Sequence, residues 1–276
     1  PGWSVRRNTG RAGPRRTGAA PTRAEETTMK DSLGWRLKLA VVTPSVNACV
    51  QPEFDAMRPP GVTNHISRMY MRDALVTTDD RFHSVIKEID DALEPAVISV
   101  MTCKPDHLIV GVSIEAVWGG LDGSKAVAER IRRHCDVGIT MASDAIPAAL
   151  AAMKVGRRVA LLCPYRDPGI VQVKRFLSEC GYEVVRARGI PHGTSSELSH
   201  ISKLDLVREL KAIDGDDVDG IVQFGANIAM ADVAAEAERW LEKPVIAVNT
   251  ALYWHALRAN GLHDVVEGFG SLLERH

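Results

Sequence analysis

The stretch HLIVGVS, residues 107–113, runs through three aliphatic side chains and stops at Gly111, Val112 and Ser113. A short apolar run without alternation fits a strand buried on both faces, as in a parallel sheet covered by helices. Its tip would present Ser113 and backbone N–H groups to a ligand. The competing reading is that Ser113 simply starts the next helix. The pattern returns as DGIVQFGAN, residues 219–227, again an aliphatic run broken by a glycine.

Working outward from these two runs, strands and helices alternate. LKLAVVTP (37–44) reads as a strand ending at Pro44, followed by a helix within 48–57 and a second strand at 64–71. A helix fits 79–93, and past 107–113 come a helix at 122–134, a strand at 137–141 and an Ala-rich helix at 143–155 with Ser143 or Asp144 as its N-cap. The order then restarts: a strand at 157–164 ending at Pro164, a helix at 168–180, a strand at 182–188 and a helix at 203–213. A strand at 219–227, a helix at 230–241, a strand at 243–249 and a helix at 250–261 complete it.

Strands alternating with helices predict parallel sheets with right-handed crossovers. The two runs also match each other. Pro44 and Pro164 both follow a first strand, and Gly111 and Gly225 stand 67 and 61 residues beyond them. The expected fold class is α/β: two similar doubly wound parallel-sheet lobes related by a pseudo-twofold, with the site between them at the carboxyl ends of the strands. The expected bounds are 29–156 for the first lobe and 157–276 for the second, whose last helix is free to pack back on the first. Residues 1–28 hold six Arg, three Pro and four Gly without apolar periodicity, which predicts a disordered leader. An Arg-rich transit peptide is the other reading of it.

A net charge of −1 with interspersed signs argues against nucleic acid as a partner, and no apolar stretch is long enough for a membrane span. The five cysteines (49, 103, 135, 163 and 180) have no zinc spacing and read as reduced thiols of a cytoplasmic protein. No phosphate loop or dinucleotide fingerprint is present, so the expected chemistry needs neither cofactor nor metal.

Four strand-end loops carry the candidate site residues. TPSVN offers Ser45 and Asn47, GVS offers Val112 and Ser113, CPYRD offers Tyr165, and FGAN offers Gly225, Ala226 and Asn227. Neutral hydroxyls, amides and N–H groups suit a carboxylate or a charge that develops during reaction. Each also has a plainer reading: Ser45 and Asn47 as helix caps, Tyr165 as packing, Asn227 as a cap for 230–241. His255 reads as a satisfied histidine, and PHGTSSELSH (191–200) either as a lid carrying His192 or as an ordinary loop. Val46, Val112, Ile114 and Ile228 are the expected apolar walls.

TPSVN, GVSIEAVWGG, RRVALLCPYRD and PVIAVNTALYWHALRANG, in this order, resemble the aspartate/glutamate racemase superfamily, in its arylmalonate decarboxylase and maleate cis-trans isomerase branch. The resemblance runs from about Leu37 to Phe269. It implies a cofactor-free lyase or isomerase acting on a small carboxylic acid, with Asn47, Ser113 and Tyr165 as donors to a carboxylate or enediolate and Ser113 and Tyr165 as the catalytic pair. Ser45, Val112, Gly225, Ala226 and Asn227 would complete the substrate site, and a homo-oligomer is compatible with it. The family's cysteines would fall at Ser113 and Gly225, neither a thiol, which removes two-base racemisation. Protonation then falls to His192, His255, Tyr165 or water, with Cys49 as the remaining thiol candidate. A hydrolase of a small amide or lactam using Ser113, and a non-catalytic acid binder, are the competing readings.

Overall fold

The computed structural model describes residues 31–276; the leader at 1–28 lies outside the described residues. Two four-stranded sheets, parallel throughout, form the frame. The first contains β1 (Leu37–Pro44), β2 (Val62–Met69), β3 (His107–Val110) and β4 (Gly138–Thr140) in the order β2-β1-β3-β4. The second contains β5 (Arg158–Cys163), β6 (Glu183–Gly189), β7 (Gly220–Gln223) and β8 (Val245–Ala247) in the matching order β6-β5-β7-β8. The central strands β1, β3, β5 and β7 are buried on both faces, which is why their sequences run apolar instead of alternating.

The helices of the first half are α1 (Val50–Ala56), α2 (Asp79–Met101), α3 (Gly120–Arg132) and α4 (Ala142–Ala152). Those of the second are α5 (Asp167–Glu179), α6 (Lys203–Ile213), α7 (Ala231–Leu241), α8 (Val248–Ala259) and α9 (Ser271–Arg275). Helix α2 outruns the expected 79–93, passing Pro95 to reach Met101, because Leu93, Ala96, Val97 and Val100 prolong its buried stripe. That burial outweighs the ~3 kcal/mol a proline costs inside a helix. Neither Ser143 nor Asp144 is the cap of α4. Met141 holds that position, and the Asp144 carboxylate accepts the Met141 N–H at 3.0 Å. β8 passes straight into α8, so Val248 and Asn249, expected in the strand, are helical.

The ladders also shift the duplication by one residue. Val42 pairs with Val110 and Leu162 with Gln223, each two residues before its proline. Gly111 N–H then donates to Val42 O and Phe224 N–H to Leu162 O. Gly111 therefore corresponds to Phe224, Val112 to Gly225 and Ser113 to Ala226, so Ser113 and Gly225 are not equivalent positions. One apolar core runs through both sheets, while a second cluster is confined to the faces of β5–β8 under α6 and α7. Helix α8 follows a strand of the second sheet yet packs on α1, α4, β3 and β4 of the first.

Candidate functional site

The loops at the carboxyl ends of both sheets enclose a hollow of about 90 Å³, room for several water-sized groups. Its lining includes Asn47, Val112, Ser113, Tyr165, Gly225, Ala226 and Asn227, seven of the eight positions singled out in the sequence. Val46 and Ile114 also line it; Ile228 is buried instead in the second-half core.

The centre of the site crosses between the halves. Ser113 follows β3 and Tyr165 follows β5, and their hydroxyls lie 2.7 Å apart. The Ser113 Oγ accepts the Gly225 N–H at 3.0 Å. Ser113 is not a helix cap: the residue before the short 3-10 turn at Glu115–Val117 is Ile114. Burial raises the Tyr165 phenol well above its ordinary pKa, so it stays a neutral donor. Gly225 takes φ +103°, and a Cβ there would lie 2.4 Å from the Pro164 ring. Any side chain at 225 would therefore be strained and would displace Pro164.

Asn47 serves two ends. Its Oδ1 accepts the N–H groups of Cys49 and Val50, holding the start of α1, and its Nδ2 has no bond among the described residues. Asn227 is not a free donor. Its Oδ1 accepts the Ala48 N–H at 2.7 Å, while its Nδ2 donates to the carbonyls of Val46 and Ser195. It ties the first-half loop to the second half, and it does not cap α7, whose preceding residue is Met230. Ser45 lies outside the lining. Its hydroxyl is taken up by the Met71 backbone, accepting from N and donating to O, which closes the loop after β2.

His192 lines the hollow from the loop after β6. Its Nδ1–H donates to the Ile190 carbonyl at 3.3 Å, which leaves Nε2 free, and burial lowers its pKa. His255 is elsewhere, joined through Thr140 to His107 in a buried chain. No cysteine is in the lining. Burial pushes both Cys49 and Cys163 up to about 12, with the Glu53 charge adding to the effect at Cys49, so neither is a thiolate at neutral pH. Among the described residues no Lys, Arg, Asp or Glu lines the hollow, and no three His, Cys, Asp or Glu side chains are placed to hold a metal ion.

Sequence reasoning missed the long wall that α2 supplies. Phe82, Val85, Ile86 and Ile89 face the hollow, which Met71, Val76 and Leu198 also line. The 82, 85, 86, 89 spacing is one face of a helix, so the signal was present, but it reads equally as a stripe facing the sheet. The Phe82 ring lies 6.2 Å from that of Tyr165 and so helps to fix it. Glu115 was also missed. It is buried with both carboxyl oxygens unpartnered among the described residues. Burial, and then the Asp90 charge, raise it to about 8.

The sequence model described as arylmalonate decarboxylase matches residues 77–273. A maleate isomerase of Pseudomonas putida is 24% identical over 250 residues, covering 86% of this chain and 96% of that protein. Among solved structures, a cysteine-to-serine variant of Nocardia farcinica maleate cis-trans isomerase, with a covalently bound succinylcysteine intermediate, superposes with TM-score 0.76. It is 23% identical, over 87% of this chain and 99% of that one. A liganded double variant of arylmalonate decarboxylase superposes at 0.72 with 22% identity, covering 85% and 97%. These likenesses share the two-lobed fold.

Proposed function

The chain belongs to the arylmalonate decarboxylase family, and from that premise we propose that it is a cofactor-free lyase removing one carboxylate from a small malonate-type acid with an apolar α-substituent. The observation that carries this reading is the contrast inside one hollow: neutral donors at Ser113, Tyr165 and Asn47 stand among walls built mostly from aliphatic and aromatic side chains. A carboxylate seated against Phe82, Val85, Ile86 and Ile89 finds no counter-charge and is destabilised there. Its C–C bond breaks, carbon dioxide leaves uncharged, and the electron pair passes into the remaining carboxyl as an enediolate. That second carboxyl is held by the Tyr165 and Asn47 donors, and hydrogen bonds to it strengthen as charge builds.

The enediolate carbon then takes one proton. His192 is the titratable group with a free ring nitrogen in the wall, and it delivers a solvent proton from Nε2. The thiol route implied by a succinylcysteine adduct in a relative needs a cysteine facing the substrate, and this lining offers none. Hydrolysis through Ser113 has less support: both partners of its hydroxyl, Tyr165 and Gly225 N–H, are neutral, and neither is a base.

The test is proton NMR in deuterated water over substituted malonates, maleate, hydantoins and small lactams. The expected result is loss of carbon dioxide from a malonate with one deuterium entering at the α-carbon. Ser113→Ala and Tyr165→Phe should each lower turnover by about 100-fold, the usual effect of removing one donor to a developing oxyanion. Conversion of maleate or ring opening, with malonates untouched, would overturn the reading.

A further inference from the structure

Glu53 stands on α1, outside the lining of the hollow, and both oxygens of its half-buried carboxyl turn to the second half. Oε1 accepts the N–H of Ala231, the first residue of α7, at 2.9 Å. Oε2 accepts from Asn249 Nδ2 at 2.6 Å, and the same amide group donates to the Ala226 carbonyl at 3.0 Å. A carbonyl only accepts, so the edge of Asn249 facing Ala226 is its NH2, and the second hydrogen of that group points to Glu53. An ionised carboxylate accepts from Asn249 and Ala231 together. A primary amide at 53 would accept from one and oppose a donor with a donor at the other.

The segment held in this way is part of the site. Ala226 lines the hollow, and the backbone N–H groups of Ala226 and Asn227 have no hydrogen-bond partner among the described residues. We infer that Glu53 is a positioning residue: through Asn249 and the start of α7 it sets the Gly225–Asn227 turn, so that the Ala226 and Asn227 N–H groups meet charge developing on the substrate carboxyl. This rests on the carboxylic-acid reading above. Burial raises Glu53 to about 7, so its charge, and with it the grip on the turn, changes across neutral pH. The titratable groups facing it are Cys49 at the cap of α1 and Asp232 on α7. Cys49 is uncharged in this range, and Asp232 adds a like charge.

Two measurements on the full chain test the inference. The first follows the Ala226 and Asn227 amide resonances with pH in the wild type and in Glu53→Gln. Both should move with an inflection near neutral pH in the wild type and lose it in the variant. Resonances that do not titrate, or titrate alike in both proteins, overturn the inference whether or not any acid is turned over. The second measures kcat and KM on the malonate found by the NMR screen. Glu53→Gln and Asn249→Ala should each lower kcat by up to about 100-fold, the effect of a small misplacement at the reacting centre, with KM little changed. The double variant should lose less than the product of the two singles, because the two share the Glu53–Asn249 bond. Asn249→Ala leaves the Glu53–Ala231 bond in place and serves if Glu53→Gln fails to fold. Unchanged kcat in folded variants, or losses that multiply, would overturn it. If the wild type decarboxylates nothing while the amides titrate as described, the positioning role stands and the decarboxylase reading falls.

Discussion

Glu115 and Ser113 are two residues apart, and their carboxyl and hydroxyl meet opposite fates. Ser113 finds Tyr165 and the Gly225 N–H, whereas Glu115 enters the core with no partner for either oxygen among the described residues. An ionised carboxylate there would be very costly, so the group keeps its proton up to about pH 8 in place of the ordinary 4.5. In the unfolded chain it ionises near the ordinary value. Between those two points the folded protein binds more protons, so stability falls as pH rises across that window and levels off above it. Glu53 acts in the same direction but its window closes at about 7. Glu115→Gln should therefore flatten the upper part of the melting-temperature profile. At about pH 8.5 the variant should melt at least ~3 °C above the wild type, what roughly 1 kcal/mol does in a chain of this size. Thermal scans from about pH 5 to pH 9 measure this; parallel curves for the two proteins would contradict it. Nothing local marks Glu115 in the sequence, since an acid after a strand end ordinarily faces water.

At the scale of elements, the strands were legible because burial on both faces leaves an uninterrupted aliphatic run, and the helices because their stripes repeat at helical spacing. What local pattern could not supply was the partner of each stripe. Helix α2 puts Phe82, Val85, Ile86 and Ile89 on the hollow, while Leu93, Val97 and Val100 of the same helix pack on the sheet. Nothing in the spacing separates the two stretches. The long reach of Asn227 to Val46, Ala48 and Ser195 was equally invisible, because it depends on three loops, at 46–48, 195 and 227, meeting at one amide. The α2 wall leads to a prediction about selectivity. Ile86 is half-buried and lines the hollow, so Ile86→Ala removes three carbons from the wall at less structural cost than a change at fully buried Leu93. The variant should accept larger α-substituents, with kcat/KM rising for the bulkier malonate relative to the smaller by about 10-fold, the usual worth of one or two methylenes in an apolar pocket. Competition between two malonates in one NMR tube gives that ratio directly, and an unchanged ratio would place the α-substituent against another wall.

For the molecule as a whole, the duplication in the sequence predicts two similar halves, and the matching strand orders are its structural expression. Two copies of one fold need not fold as one, yet here two features join them. The larger apolar core includes Leu39, Val41 and Ile109 of the first sheet together with Leu161 and Val222 of the second and Phe176 of α5. Helix α8 leaves the second sheet and is buried on nearly every side by elements of the first, with Leu252 and Tyr253 fully enclosed. Such coupling makes separate melting of the halves unfavourable, since either half alone would expose the face it now shares. Leu252→Ala tests this at a position that belongs by sequence to the second half and by packing to the first. Removing a fully buried leucine should cost about 2–5 kcal/mol. Native-state hydrogen exchange should show the amides of β1 and β3 and those of β5 and β7 losing protection by the same free energy, because both are released in one global opening. Loss confined to β1 and β3, with β5 and β7 protected as before, would mean that the halves open independently and that α8 belongs energetically to the first alone.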